Sequence, residues 1–141
     1  MNVLVIQGAG MDLRGRTDVE IFGPETLPEI NARIEADATA LEVAVEIRQS
    51  NSEEEAAEWV RTAAELFDAL IINPSGFTLS DGELLEALRG LSLPAIEVHA
   101  SNPSARGVQS TITPLCKGAV CGFGYDGYRI ALSGLLSMVD S

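Results

Sequence analysis

Ala69-Leu70-Ile71-Ile72 places four apolar residues in unbroken succession, and Asn73-Pro74 stops the run. A strand with one face in water alternates apolar with polar residues, so an unbroken run predicts a strand covered on both faces. The pattern returns upstream as Val3-Leu4-Val5-Ile6 and downstream as Ala95-Ile96-Glu97-Val98 and Ala119-Val120-Cys121-Gly122-Phe123. Val43-Ala44-Val45-Glu46-Ile47 differs, because Glu46 breaks the apolar run and marks an edge or half-covered strand.

Helical patterns separate these runs. Residues 26–41 open with Thr26-Leu27-Pro28-Glu29, where Thr26 caps, Pro28 fits the first turn and Glu29 completes a capping box. Residues 52–66 open with Ser52-Glu53-Glu54-Glu55, three negative charges at the positive end of a helix dipole. Ala56, Trp59, Val60, Ala63 and Leu66 then form an apolar stripe at helical spacing, which makes Trp59 a core residue. Residues 80–88 and 128–139 complete the set. The order β-α-β-α-β-α-β-β-α with right-handed crossovers predicts an α/β protein. It is a flavodoxin-like three-layer α/β/α sandwich around a five-stranded parallel sheet.

The 141 residues suit a single domain over 1–141. A chain of this size buries roughly 70% of its unfolded surface and folds without disulfide or metal. Nine Lys and Arg against 21 Asp and Glu leave a net charge of −12. That balance speaks against nucleic acid, whose phosphates need cations, and against docking to an anionic membrane surface. No apolar run approaches the length of about 18 residues that a membrane span requires. The opening MNVLVIQGAG lacks the basic n-region and cleavage motif of a secretory signal, so a cytoplasmic location is expected. Cys116 and Cys121, spaced C-x4-C with no second pair, form no zinc site and read as small buried hydrophobes in a reducing compartment.

Parallel sheets of this kind bind ligands beyond the C-terminal ends of their strands, which points to residues 7–23, 49–52, 73–80 and 99–106. The first segment carries Gly8, Gly10, Gly15 and Gly23 but lacks the third fingerprint glycine and immediate helix of a dinucleotide site, and reads as a lid. Glu97 and His99, the single histidine of the chain, fall on one side of their strand. A carboxylate beside an imidazole fixes its tautomer and stabilises the imidazolium, which suits a general acid. A structural histidine held by a glutamate has the same pattern. Asn51, Asn73-Pro74 and Ser101-Asn102 offer amide and hydroxyl groups to a small polar ligand, and are also ordinary turn and cap formers.

Gln49-Ser50-Asn51, Ile71-Ile72-Asn73-Pro74, Glu97-Val98-His99, Ser101-Asn102, Lys117-Gly118, Cys121-Gly122-Phe123-Gly124 and Gly127-Tyr128 occur in an order and spacing that resemble the type II 3-dehydroquinate dehydratases of the shikimate pathway, along the whole chain. The resemblance implies a flavodoxin-like subunit, trimers joined into dodecamers, and no metal or organic cofactor. It also implies the reaction: 3-dehydroquinate loses water through an enolate. A tyrosine takes the proton α to the ketone, an arginine lowers the pKa of that tyrosine, and a histidine protonates the departing hydroxyl. On that basis His99 with Glu97 is the acid, and Asn73, Ala100 and Ser101 hold substrate. Glu86 stands at an acidic position that approaches a neighbouring subunit's site.

The departures from the family pattern fall at the chemistry. The family's first loop reads approximately N-G-P-N-L-N-L-L-G-x-R-E-P-x-x-Y-G. Aligned without gaps, it puts Phe22 on the base tyrosine, Thr17 on the activating arginine and Gly10 on an ordering asparagine. Leu79 stands where the N-P-G-A-Y-T-H corner of the family has a substrate-contacting histidine. The arginine expected to contact the substrate carboxyl is missing after Ser101-Asn102, with Arg106 in reach of the same space, and Arg16 lies one residue from the activating position.

Three readings compete. The favoured one is a dehydroquinate dehydratase-like protein with weak or absent dehydratase activity, binding a small polar or carboxylate metabolite. The second is a working dehydratase with a substitute base, with Glu53 first and Asp12 and Asp18 behind it. The third is a binding or structural oligomer without catalysis.

Overall fold

The computed structural model describes residues 1–140. Five strands form one parallel sheet: β1 (Asn2–Ala9), β2 (Ala44–Gln49), β3 (Ala69–Ser75), β4 (Ala95–His99) and β5 (Gly118–Cys121), in the order β2-β1-β3-β4-β5. This is the flavodoxin-like order, and its reversal at β1 opens a crevice at the strand ends. The helices are α1 (Val19–Phe22), α2 (Leu27–Ala40), α3 (Glu53–Thr62), α4 (Glu83–Arg89) and α5 (Gly127–Asp140).

The unbroken apolar runs are explained by what lies on each face. In β1, Val3 and Val5 pack with Ile30 and Ile34 of α2 and Leu132 and Leu135 of α5. Leu4 and Ile6 point the other way, among Ala56 and Val60 of α3 and Leu84 and Leu88 of α4. β3 repeats the division, Ile71 on the first side and Leu70 and Ile72 on the second. Period-two alternation therefore feeds two cores from one strand. β2 lies at the sheet edge, as its Glu46 foretells.

Helix starts follow the local chemistry. Glu29 Oε1 accepts from the Thr26 backbone N–H at 3.1 Å, and Ser52 Oγ accepts from Glu55 N at 3.2 Å, so both helices begin one residue after their caps. α2 ends at Ala40 with Leu41 as its cap, as expected, but the far end of α3 differs. α3 stops at Thr62 and tightens into a 3-10 turn over Ala63–Glu65, which rotates Leu66 off the apolar stripe and leaves it 65% exposed. Trp59 is half-buried against the α3/α4 core, with the Arg48 guanidinium 5.6 Å from its ring. Cys116 and Cys121 are free and half-buried rather than buried, because the short β5 forms the second edge of the sheet. Burial, then the nearby Glu97 charge, still pushes the Cys116 thiol up to about 12.

The segment expected as a lid is tied down. β1 continues to Ala9, a 3-10 turn follows over Met11–Leu13, and α1 closes it. Met11 is fully buried, Gly10 N donates to Asn51 Oδ1 at 2.9 Å, and Tyr125 Oη donates to the Phe22 carbonyl at 2.9 Å. Gly8 is needed for the approach of β1 to β3, since a Cβ there would fall 2.0 Å from the Pro74 carbonyl oxygen. Among the described residues, no helix is long and apolar enough to cross a membrane.

Candidate active site

A cavity of about 420 Å³ opens beyond the C-terminal ends of β3 and β4. β3 contributes Asn73 and Ser75, β4 contributes His99, and the turn after β4 contributes Ala100 and Ser101. The first loop closes one side with Arg14, Asp18 and Phe22, while Leu79 and Arg106 border the mouth.

Strand periodicity builds the Glu97–His99 pair. Glu97 and His99 are two residues apart on fully buried β4, so both side chains leave the same face. His99 Nε2 and Glu97 Oε2 stand 2.7 Å apart. Burial pushes the Glu97 carboxyl up, but hydrogen bonds from His99, Ser110 and Thr113 outweigh it and hold the pKa below its ordinary value. Glu97 is therefore an ionised acceptor and Nε2–H the donor, which leaves Nδ1 as the ring atom free to exchange a proton with a ligand. Nothing local in the sequence marks Ser110 and Thr113, which reach Glu97 across 13 and 16 residues.

A second polar chain fixes Asn73. Its Nδ2 donates to Tyr128 Oη at 3.0 Å, and that hydroxyl donates to Gln7 Oε1 at 2.6 Å. Burial raises the Tyr128 pKa well beyond the ordinary phenol range, so this tyrosine stays neutral and acts as a brace.

On the first-loop side of the cavity the ionisable proton acceptor is the Asp18 carboxylate, and there is no phenol. Phe22 presents a ring without an ionisable group, and the Arg14 guanidinium stacks on it at 3.7 Å from the ring centroid. Arg14 Nη2 donates to Ser75 Oγ at 3.1 Å, and Ser75 takes a left-handed backbone, φ 48°, that side chains other than glycine rarely adopt. Arg106 Nη1 donates to Ser101 Oγ at 2.9 Å.

His99, Asn73, Ala100, Ser101, Arg106, Phe22 and Leu79 thus meet at one cavity, with Glu97 behind His99. Arg16 and Thr17 are exposed on the first loop and do not line it. Gly10 sits beside it, bonded to Asn51. Glu53 is turned toward Gly82, where its Oε2 lies 2.6 Å from where a Cβ would stand, and does not line the cavity. Glu86 is exposed on α4 and paired with Arg89 at 2.5 Å. Among the described residues, no group of three or more His, Cys, Asp or Glu is placed to hold a metal ion.

The family model described as Dehydroquinase class II matches residues 1–136. The chain belongs to that family. A 3-dehydroquinate dehydratase of Caldanaerobacter subterraneus subsp. tengcongensis is 39% identical, covering 99% of this chain and 96% of its own length. The crystal structure of a type II dehydroquinase from Propionibacterium acnes superposes with a TM-score of 0.91 at 33% identity, covering 96% of each chain. The corresponding structure from Butyrivibrio crossotus gives 0.91 at 29% identity, covering 96% and 97%. The sequence leaves open whether Arg14, Arg16 or Arg106 folds back into the site, and the structure places Arg14 and Arg106 in the cavity lining. The signal for Arg14 was present, since the family's loop carries leucine where this chain has Arg14. Tyr125 was missed, because its bond to Phe22 spans 103 residues.

Proposed function

We propose that this class II dehydroquinase-family protein binds a small carboxylate-bearing metabolite between the first loop and the ends of β3 and β4. Its 3-dehydroquinate dehydratase activity is weak or absent. One observation carries the reading. The His99–Glu97 acid is assembled, while the ring facing it across the cavity is Phe22, packed under a guanidinium. Dehydration through an enolate needs a base at the α-carbon, and a positioned base is worth about 10²–10⁴-fold in rate. Asn73, Ser101 and the Ala100 backbone cradle the ligand, with no cofactor assigned. The family resemblance further supports trimers or dodecamers, with Glu86 approaching a neighbouring subunit, and a cytoplasmic site of action.

The test is turnover of 3-dehydroquinate, followed by the ultraviolet absorbance of the conjugated enone, beside a His99→Ala control. The expected rate is about 10²-fold or more below that of a tyrosine-bearing relative. A rate equal to the relative's and abolished by His99→Ala would overturn the reading.

One observation favours a working dehydratase instead. Asp18 lines the cavity and carries a carboxylate that could replace the phenol, whereas Asp12 and Glu53 do not line it. Turnover that falls at least tenfold in Asp18→Asn would establish that alternative.

A further inference from the structure

The cations of the molecule are unevenly matched. Arg33, Arg48, Arg61 and Arg89 each form an ion pair with a carboxylate, on a surface where acids outnumber bases 21 to 9. The two arginines that line the cavity, Arg14 and Arg106, bond only to hydroxyls. Arg106 is exposed. Arg14 is not: its side chain is among the buried polar residues at 8% exposure, and its Nε is enclosed with no hydrogen-bond partner. No carboxylate among the described residues pairs with it. A buried guanidinium without a counter-charge is costly, and its fork geometry is suited to carboxylate and phosphate oxygens. Its surroundings are also built. Phe22 stacks on one face of the guanidinium, and Ser75 holds a strained left-handed backbone while its hydroxyl accepts from Nη2.

We propose that Arg14 and Ser75 form an anion-binding subsite at the Phe22 end of the cavity, so that the ligand carries two anionic groups. The first lies against Ala100 and Ser101 near Arg106, and the second is held by Arg14. The chemical class is a small acid with two anionic groups, either a dicarboxylate or a phosphorylated carboxylic acid. The inference rests on the proposed carboxylate-binding reading and deepens it by specifying the second charge. A cavity of about 420 Å³ accommodates a metabolite of this kind.

The experiment compares matched probes by titration calorimetry. Cyclohexanecarboxylate is set against cis-cyclohexane-1,3-dicarboxylate for the dicarboxylate source, and glycerate against 3-phosphoglycerate for the phosphorylated one. The wild type is expected to bind at least one probe with two anionic groups roughly tenfold or more tightly than its monoanionic partner. Arg14→Gln should abolish that preference by weakening binding of the two-anion probe far more than monoanion binding. Ser75→Gly, which relieves the backbone strain and removes the hydroxyl, should weaken the preference in a protein whose fold is safe, so the test survives if Arg14→Gln does not fold. Equal binding of monoanion and two-anion probe in both pairs would overturn the second subsite while sparing the carboxylate-binding reading. No binding of any probe would overturn both. A preference that persists in Arg14→Gln would also remove the assignment.

Discussion

Phe22 and Glu97 mark the two ends of the cavity chemistry, and each can be tested by one atom's worth of change. Phe22→Tyr returns a phenol to the cavity wall, with Arg14 already stacked on the ring. Turnover of 3-dehydroquinate is expected to rise about tenfold to a hundredfold, short of the full value of a base because Thr17 leaves it without its family activator. Glu97 concerns stability as well as chemistry. Its carboxyl titrates below the ordinary 4.5 in the folded chain, so the unfolded chain binds the proton more readily. The resulting stabilisation is fully present above about pH 4.5 and is lost as the pH falls through the lowered folded value. Glu97→Gln should cost about 1–3 kcal/mol at neutral pH, since Ser110, Thr113 and His99 lose a charged acceptor. Urea unfolding from pH 7 to pH 3 should show the gap between variant and wild type closing as acid is added.

At the scale of elements, the first loop decides what the cavity is. Buried Met11 anchors its start, and Tyr125 at the foot of α5 holds its end by the bond to the Phe22 carbonyl. Tyr125→Phe removes that bond without changing the ring. It should cost about 1 kcal/mol and speed amide hydrogen exchange across residues 18–23, with little change in β3 or β4. Equal protection in both proteins would mean that packing of α1 alone holds the loop. The inner strands β1, β3 and β4 were legible because each runs between two helix layers, and their apolar runs record both faces. The run in β5 has the same pattern, yet Ala119 and Phe123 are exposed because β5 is an edge strand. The end of α3 was not legible, because the stripe through Leu66 has helical spacing, and the tightening after Thr62 depends on how the chain turns into β3.

For the whole molecule, a charge of −12 leaves self-association as the interaction to measure. The family resemblance leads us to expect light scattering to report a trimer or a larger assembly at neutral pH and moderate salt. A monomer would detach Glu86 from any role beside a neighbouring site. The parallel sheet with its order β2-β1-β3-β4-β5 has its reversal at β1, and Gln7 at that point joins Tyr128 and Asn73 in one hydrogen-bonded chain. The C-terminal helix thereby reaches Asn73 in the cavity wall, a link that no local pattern contains.

What the amino-acid order determined by itself was periodic or adjacent. The two-residue spacing of Glu97 and His99 put them on one face, the unbroken runs specified the covered inner strands, and Thr26 and Ser52 started their helices. Motif order was enough to carry the family. Tertiary structure alone decided which charges enter the cavity. Arg14, Arg16, Arg106, Asp18 and Glu53 are all near strand ends in sequence, yet Arg14 is buried on Phe22, Arg16 is exposed and Glu53 faces Gly82. Long flexible side chains have no preferred direction until packing excludes the alternatives. Here Met11, Tyr125 and Ser75, brought together from three distant parts of the chain, make that choice.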